Sequence, residues 1–354
     1  MCSGGDDFLQ SFARSSGDFW KRNCRDMSKL EIPIPCQATL ARIAVSRARH
    51  IVGPILSYLV CCLVLGILFG EMTFHLARIP VGDRRPFQSE AARFGAVLED
   101  VSVTASDGVI LRGWLARPVP DNGGAVILVH GIGGNRERLA NLSRVFLAQG
   151  YQVLLVDLRA HGASGGDYPT YGIKEADDVR DWFQWLITQR PAACVFGMGE
   201  SLGAAILLQS VKTTPFCAVV ADSPFASYRQ FAYIRIGNMF HAGPWVGRIA
   251  LRPAAEVALL YGKLTRGVDL SRASPQDSVA HSTVPILLIH GLADRTIPPY
   301  ASEMIRAHNM RYVELWQVPN AGHCDSWNVA ADEYRVRVLG WFSSHQAGRS
   351  VALR

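Results

Sequence analysis

The stretch Ala192-Ala193-Cys194-Val195-Phe196-Gly197-Met198-Gly199-Glu200-Ser201-Leu202-Gly203-Ala204-Ala205-Ile206-Leu207-Leu208-Gln209 reads as an apolar strand, a tight turn and a strong helix former. That order places Ser201 on a sharp elbow with its hydroxyl above a sheet edge, flanked by glycines because side chains there would strike neighbouring backbone. The helix beginning at Leu202 adds free N–H groups and a positive dipole beside the reacting oxygen. Gly-x-Ser-x-Gly also occurs at Gly162–Gly166, but Asp167-Tyr168-Pro169 follows and no helix can start there. Ser201 is therefore read as a nucleophile and Ser164 as a loop residue.

Outward from this unit, strands and helices alternate, the signature of a mostly parallel α/β sheet covered on both faces. Strands are expected at Glu99–Ala105, Val109–Ala116, Ala125–His130, Gln152–Asp157, Ala193–Met198, Cys217–Asp222, Val284–His290 and Tyr312–Gln317. Ser106-Asp107-Gly108 joins the first two as a hairpin turn. Helices are expected around Arg136–Gln149, Lys174–Gln189, Leu202–Lys212, Pro299–His308 and Trp327–His345. Residues 225–282 form an aromatic-rich insertion, read as ordinary helix packing and, with slight preference, as a small helical cap roofing the serine with an apolar acyl pocket.

A serine hydroxyl is a weak nucleophile at neutral pH and needs a base. His323, in Ala321-Gly322-His323-Cys324, follows the last strand and can reach back over the sheet's carboxyl edge. A histidine base needs a carboxylate to fix its tautomer, and Asp294 follows the seventh strand at the same edge. Asp222, ending the sixth, is the rival acid; the alternative for it is a loop-capping carboxylate bonded to backbone. His130-Gly131-Ile132-Gly133-Gly134-Asn135 is not a dinucleotide loop, because position 136 is Arg, and no Gly-Lys-Ser/Thr phosphate loop occurs. Its better use is an oxyanion hole, with the Ile132 and Leu202 amides as donors worth about 3–4 kcal/mol each.

The chain has 354 residues, of which 49% are hydrophobic, ample for a large core. The formal charge of +6 is spread without a basic stripe, which argues against nucleic acid as a partner. The eight cysteines show no metal spacing, and neither metal nor cofactor is implied. Cys61, Cys62, Cys194 and Cys217 read as buried or lipid-facing thiols, with no disulfide assignable from spacing. Cys324 could be reactive beside His323, although one neighbour does not make a nucleophile.

Residues 1–50 read as a polar, poorly ordered tail. Ile51–Gly70 is a run of twenty uncharged residues, about 30 Å of helix, the thickness of a bilayer core. A core helix would show a polar face and a cleaved leader a shorter apolar region, so a single transmembrane helix is expected. Residues 71–95 read as a linker broken by Pro80, Gly82 and Pro86, 96–346 as the catalytic domain and 347–354 as a tail. Arg42, Arg47 and Arg49 precede the helix within ten residues, whereas only Arg78 follows it. This shallow bias, equalised over fifteen residues by Arg84 and Arg85, points to an extracytoplasmic catalytic domain.

The elbow at Ser201, with Ser106-Asp107-Gly108…Leu111-Arg112-Gly113-Trp114, His130-Gly131…Asn135-Arg136, Asp157-Leu158-Arg159-Ala160-His161-Gly162-Ala163-Ser164, Ala221-Asp222-Ser223-Pro224-Phe225, Asp294 and His323, resembles the α/β-hydrolases. The similarity is to the serine-aminopeptidase-like or acyl-aminoacyl-peptidase-like esterase group, close to membrane-anchored Bem46-type proteins, over about residues 97–345. It implies the α/β-hydrolase fold, with the eight-stranded sheet, and hydrolase activity without a defined substrate. The leading expectation is hydrolysis of a carboxylic ester or thioester with an apolar acyl group. A serine peptidase or amidase is the second, and a catalytically silent membrane-bound binding protein the third. Oligomeric state is not legible.

Overall fold

A computed structural model describes residues 34–189 and 192–352, so most of the expected N-terminal tail lies outside the described residues. The chain forms two compact units that divide between Val60 and Cys61. In the first, residues from Ile34 on belong to helix α1 (Ile34–Phe74), and all side chains from Ile51 to Val60 are exposed. Over His50–Phe74 this helix is long and apolar enough to cross a membrane by length and composition.

In the second unit, α1 runs to Phe74 rather than stopping at Gly70, and a further helix, α2 (Arg85–Ala92), lies inside the expected linker. Pro86 starts α2 instead of breaking it, because a first-turn residue has no intrahelical N–H bond to lose. The sheet then assembles from β1 (Val97–Thr104), β2 (Ile110–Arg117), β3 (Gly124–Val129), β4 (Gln152–Val156), β5 (Cys194–Glu200), β6 (Val219–Asp222), β7 (Ile286–Gly291) and β8 (Val313–Val318). Their spatial order is β1-β2-β4-β3-β5-β6-β7-β8. β1, β2 and β4 pair antiparallel, and every other pairing is parallel.

Strand alternation divides the core in two. Ile127, Val129, Leu154 and Val156 face one layer, with Trp182 and Leu186, while Val126, Leu128, Val153 and Leu155 face the other, with Phe146 and Phe342. The layers are built by α3 (Ala140–Leu147), α4 (Glu175–Gln189), α5 (Leu202–Ser210), the insertion helices α6 (Tyr228–Met239), α7 (Gly243–Ile249), α8 (Arg252–Arg266) and α9 (Pro275–Val279), then α10 (Tyr300–His308), α11 (Ser326–Val329) and α12 (Ala331–Ala352). Residues Leu202–Ser210 of α5 are all buried, which explains its apolar character on every side. The chain leaves β3 toward β4 and returns on its other side as β5, so the loops after β3 and β5 part at a topological switch point.

One cysteine reading is corrected here. Cys194 and Cys217 are buried, but as a disulfide rather than as thiols. Cys194 opens β5, and Cys217, whose N–H donates to Val195 O at 2.8 Å, leads into neighbouring β6, so sheet pairing brings the sulfurs together. Cys61 is exposed and Cys62 buried.

Candidate active site

Ser201 joins β5 to α5 at φ 52°, ψ −113°, a backbone region that costs a non-glycine residue about 1–3 kcal/mol and persists only where the surroundings over-determine it. Its amide donates to Asp222 O at 2.8 Å, tying the elbow to β6. At Gly203 a Cβ would lie 2.1 Å from Val129 O, so only glycine lets α5 close onto β3. That approach brings the post-β3 turn beside the serine.

The structure draws Ser201, His323 and Asp294 into one row. Ser201 Oγ lies 2.9 Å from His323 Nε2, and His323 Nδ1 lies 2.7 Å from Asp294 Oδ2. The carboxylate accepts a hydrogen bond from Nδ1–H, which leaves Nε2 as acceptor for the serine hydroxyl. Asp294 is itself fixed: its Oδ1 accepts from the Thr296 and Ile297 amides at 2.8 and 2.9 Å. Burial pushes its pKa up, but hydrogen bonds from His290 and His323, with the Ile297 amide, outweigh burial and hold it well below the usual carboxylate range.

The rival, Asp222, stands apart from this row. Ser223 Oγ donates to its Oδ1 at 2.9 Å and Tyr334 OH to its Oδ2 at 3.1 Å, so side chains rather than backbone cap it. Burial raises its pKa to about 6, against those two hydrogen bonds. Ser164 is fully buried; its hydroxyl donates to Asp157 O and accepts from the Arg112 amide, both at 2.8 Å, and it touches none of the three residues. The thiol of Cys324 is pushed well up by burial and by the nearby Asp222, Glu200 and Asp294 carboxylates, which removes its thiolate character at neutral pH.

The Ile132 and Leu202 amides donate to no protein acceptor among the described residues. The Ile132 loop is held from below. His130 Nε2 accepts from the Leu158 amide at 3.2 Å, which leaves Nδ1–H to donate to Gly131 O at 2.7 Å. Burial, then the neighbouring His161, lowers the His130 pKa to about 4, keeping it neutral in that role. Arg136 closes the loop on buried Asp157 through its amide, Nε and Nη2 at 2.7, 3.0 and 2.7 Å.

Three participants escaped the sequence reading. His290 is the penultimate residue of β7, with Nδ1 2.7 Å from Ser302 Oγ and Nε2 2.9 Å from Ile297 O and 3.3 Å from Asp294 Oδ2. A histidine four residues before the acid at a strand end was a readable signal. Glu200 adjoins the serine and lines the cavity over it; burial, then Asp222, raises its pKa to about 7 against the pull of Arg138. The third is α1. The cavity holding Ser201 and His323, about 900 Å³, is roofed by Tyr228, Phe231 and Met239 of α6 and walled by Phe69, Met72 and Thr73 of α1.

Residues 126–336 match the model of the alpha/beta hydrolase family. A Mycobacterium tuberculosis protein, uncharacterized, is 30% identical over 233 residues, covering 64% of this chain and 72% of its own length. The alpha/beta hydrolase domain-containing protein WAV2 of Arabidopsis thaliana is 24% identical over 281 residues, 76% of this chain and 85% of its own. Among solved structures, the Pyrococcus furiosus esterase Pf2001 superposes with a TM-score of 0.62 at 23% identity, covering 77% of this chain and 99% of the esterase. That likeness concerns the fold.

Proposed function

We propose that this chain, which belongs to the alpha/beta hydrolase family, is a serine hydrolase that cleaves carboxylic esters or thioesters with apolar acyl groups through an acyl-enzyme on Ser201. The observation that carries the reading is the hydrogen-bonded row from Asp294 through His323 to Ser201, opening into a cavity with apolar walls.

Ser201 Oγ adds to the carbonyl carbon while His323 Nε2 takes its proton and Asp294 steadies the imidazolium. The Ile132 and Leu202 amides receive the developing oxyanion, each worth about 3–4 kcal/mol there. Collapse breaks the bond to the alkoxy or thiolate group, which leaves with the proton from His323. Water then adds its oxygen to the acyl carbon and gives one proton to His323. The acid departs, and the proton on Nε2 returns to Ser201.

A transmembrane α1 holds the enzyme at a bilayer with the hydrolase unit on the extracytoplasmic side. Two features support this: the arginine bias before the helix, and the Cys194–Cys217 disulfide, a bond that persists in oxidising compartments. A fluorophosphonate probe tests the chemistry. It should label the wild-type chain and not Ser201→Ala, with nitrophenyl esters hydrolysed in parallel. Labelling that survives Ser201→Ala would overturn the assignment. Protease digestion of intact cells tests the side; a protected hydrolase unit would place it in the cytoplasm.

A further inference from the structure

The last turns of α1 are part of the hydrolase unit itself. At Gly66 a Cβ would lie 2.5 Å from Ala254 O and 2.6 Å from the Val257 side chain, so α1 and α8 touch backbone against backbone. Gly70 meets Ala258 and Tyr261 of α8 in the same manner, and the Phe74 ring reaches Gly262. Tyr261 and Arg266 donate to Glu71, the acidic residue that closes the apolar run. The contacts advance in step along both helices, so α8 runs parallel to α1. The N-terminal end of α8 therefore lies level with Gly66, inside the apolar run.

The cap carries exposed apolar side chains on both sides of this contact. Trp245 and Ile249 of α7, before the N-terminal end of α8, are 71% and 66% exposed, and toward the C-terminal end of α8 Leu264 is 74% exposed, with Leu260 one turn before it. Leu63, Val64, Ile67 and Leu68 are exposed on α1, the helix against which α8 packs. An exposed apolar patch continuous with a membrane-length helix fits lipid. Arg248 and Arg252, flanking Ile249, have no acidic partner among the described residues, which suits anionic headgroups.

The same few turns of α1 also reach the chemistry. Phe69, Met72 and Thr73 wall the cavity that holds Ser201, and Tyr228 OH donates to Thr73 Oγ1 at 3.1 Å to fix that wall. The rim is open and mixed: Met72 is 58% exposed and Ile79 and Met239 are exposed as well, alongside His75, Arg138 and Arg235. A lipid-facing surface and a substrate-facing surface thus meet along one helix.

We propose that the cap and α1 dock as one surface on the bilayer and that the cavity opens onto it, so that the substrate is an ester-linked lipid reaching Ser201 from the membrane rather than from bulk water. This inference rests on the ester-hydrolase reading above.

The test uses the full chain in vesicles of phosphatidylcholine and phosphatidylglycerol, with nitrophenyl palmitate dissolved in the vesicles and nitrophenyl acetate in the water. Ile249→Glu and Leu264→Glu, both outside the cavity, should lower palmitate hydrolysis about tenfold through lost seating and leave acetate hydrolysis within about twofold. Brominated phosphatidylcholine should quench tryptophan emission in the wild type and quench less in Trp245→Phe. Wild-type palmitate rates in both glutamate variants, with quenching unchanged in Trp245→Phe, would overturn the docking. A dimer abolished by Leu264→Glu, without bromolipid quenching, would assign the patch to a second copy and overturn it equally. Absence of acetate hydrolysis and of fluorophosphonate labelling would overturn the ester reading, and the lipid substrate with it, whatever the quenching shows.

Discussion

His290 Nε2 stands 3.3 Å from Oδ2 of Asp294, the same oxygen that holds His323 Nδ1. Since Nε2 also lies 2.9 Å from Ile297 O, and Nδ1 accepts from the Ser302 hydroxyl, His290 is locked as the Nε2–H tautomer. Its expected role is positional: it holds the Asp294 carboxylate through the same oxygen that faces His323. His290→Leu should lower kcat about 10- to 100-fold with KM little changed, and His290→Gln, which keeps a donor, should recover part of the loss. Equal losses in both variants, with KM raised, would reduce His290 to a packing residue.

Asp294 and Asp222 should separate by kinetics. Asp294→Asn presents an amide to His323 and favours the wrong tautomer, so kcat should fall about 10⁴-fold. Asp222→Asn keeps partners for Ser223 and Tyr334 and should change kcat far less. Steady-state rates on nitrophenyl butyrate, with circular dichroism to establish folding, decide between them; the reverse ranking would move the acid to Asp222.

The two Gly-x-Ser-x-Gly serines should fail in different ways. Ser201→Ala should lose about 10⁶-fold in kcat with stability intact. Ser164→Ala leaves the buried Arg112 amide without its acceptor, so it should cost about 1–3 kcal/mol in urea unfolding while the folded protein keeps its rate.

Glu200 ties stability to pH. Its pKa rises from 4.5 to about 7 on folding, so between those values the native state keeps a proton that the unfolded chain has lost. Stability therefore falls as pH rises through that window. Glu200→Gln carries no such penalty: its unfolding free energy should match wild type near pH 4 and exceed it by on the order of 2–3 kcal/mol near pH 8. An equal offset at both pH values would mean that Glu200 ionises in place without cost.

The Cys194–Cys217 bond closes a sequence separation of 23 residues, and Cys194→Ala/Cys217→Ala should cost about 3 kcal/mol in unfolding free energy. Thiol alkylation before and after reduction reports whether the pair is oxidised in cells.

The sheet was legible because each strand is a short apolar run bounded by turn residues, and all eight lie within a few residues of where the sequence puts them. Ser201, Asp294 and His323 were legible for the same reason, each following its own strand end at one edge. What escaped depends on adjacency that the sequence does not carry. Cys194 and Cys217 meet only because β5 and β6 pair. Pro86 reads as a helix breaker until its place in the first turn is known. The run ending at Gly70 has one composition whether its neighbours are lipid tails or the Ala254 and Val257 side of α8, so its packing on α8 was hidden.

That packing bears on how the protein can be isolated. Trimming the chain after Gly70, the natural place to cut a soluble version, would discard Phe69 from the cavity wall and expose the seat of Gly66 on α8 to water. The trimmed protein would carry a raw apolar groove on α8 and an opened wall at the Ser201 cavity, both prone to self-association. Detergent tails would fill that groove and compete with substrate, so inhibition by the solubilising agent itself is the expected signature of a preparation cut too short.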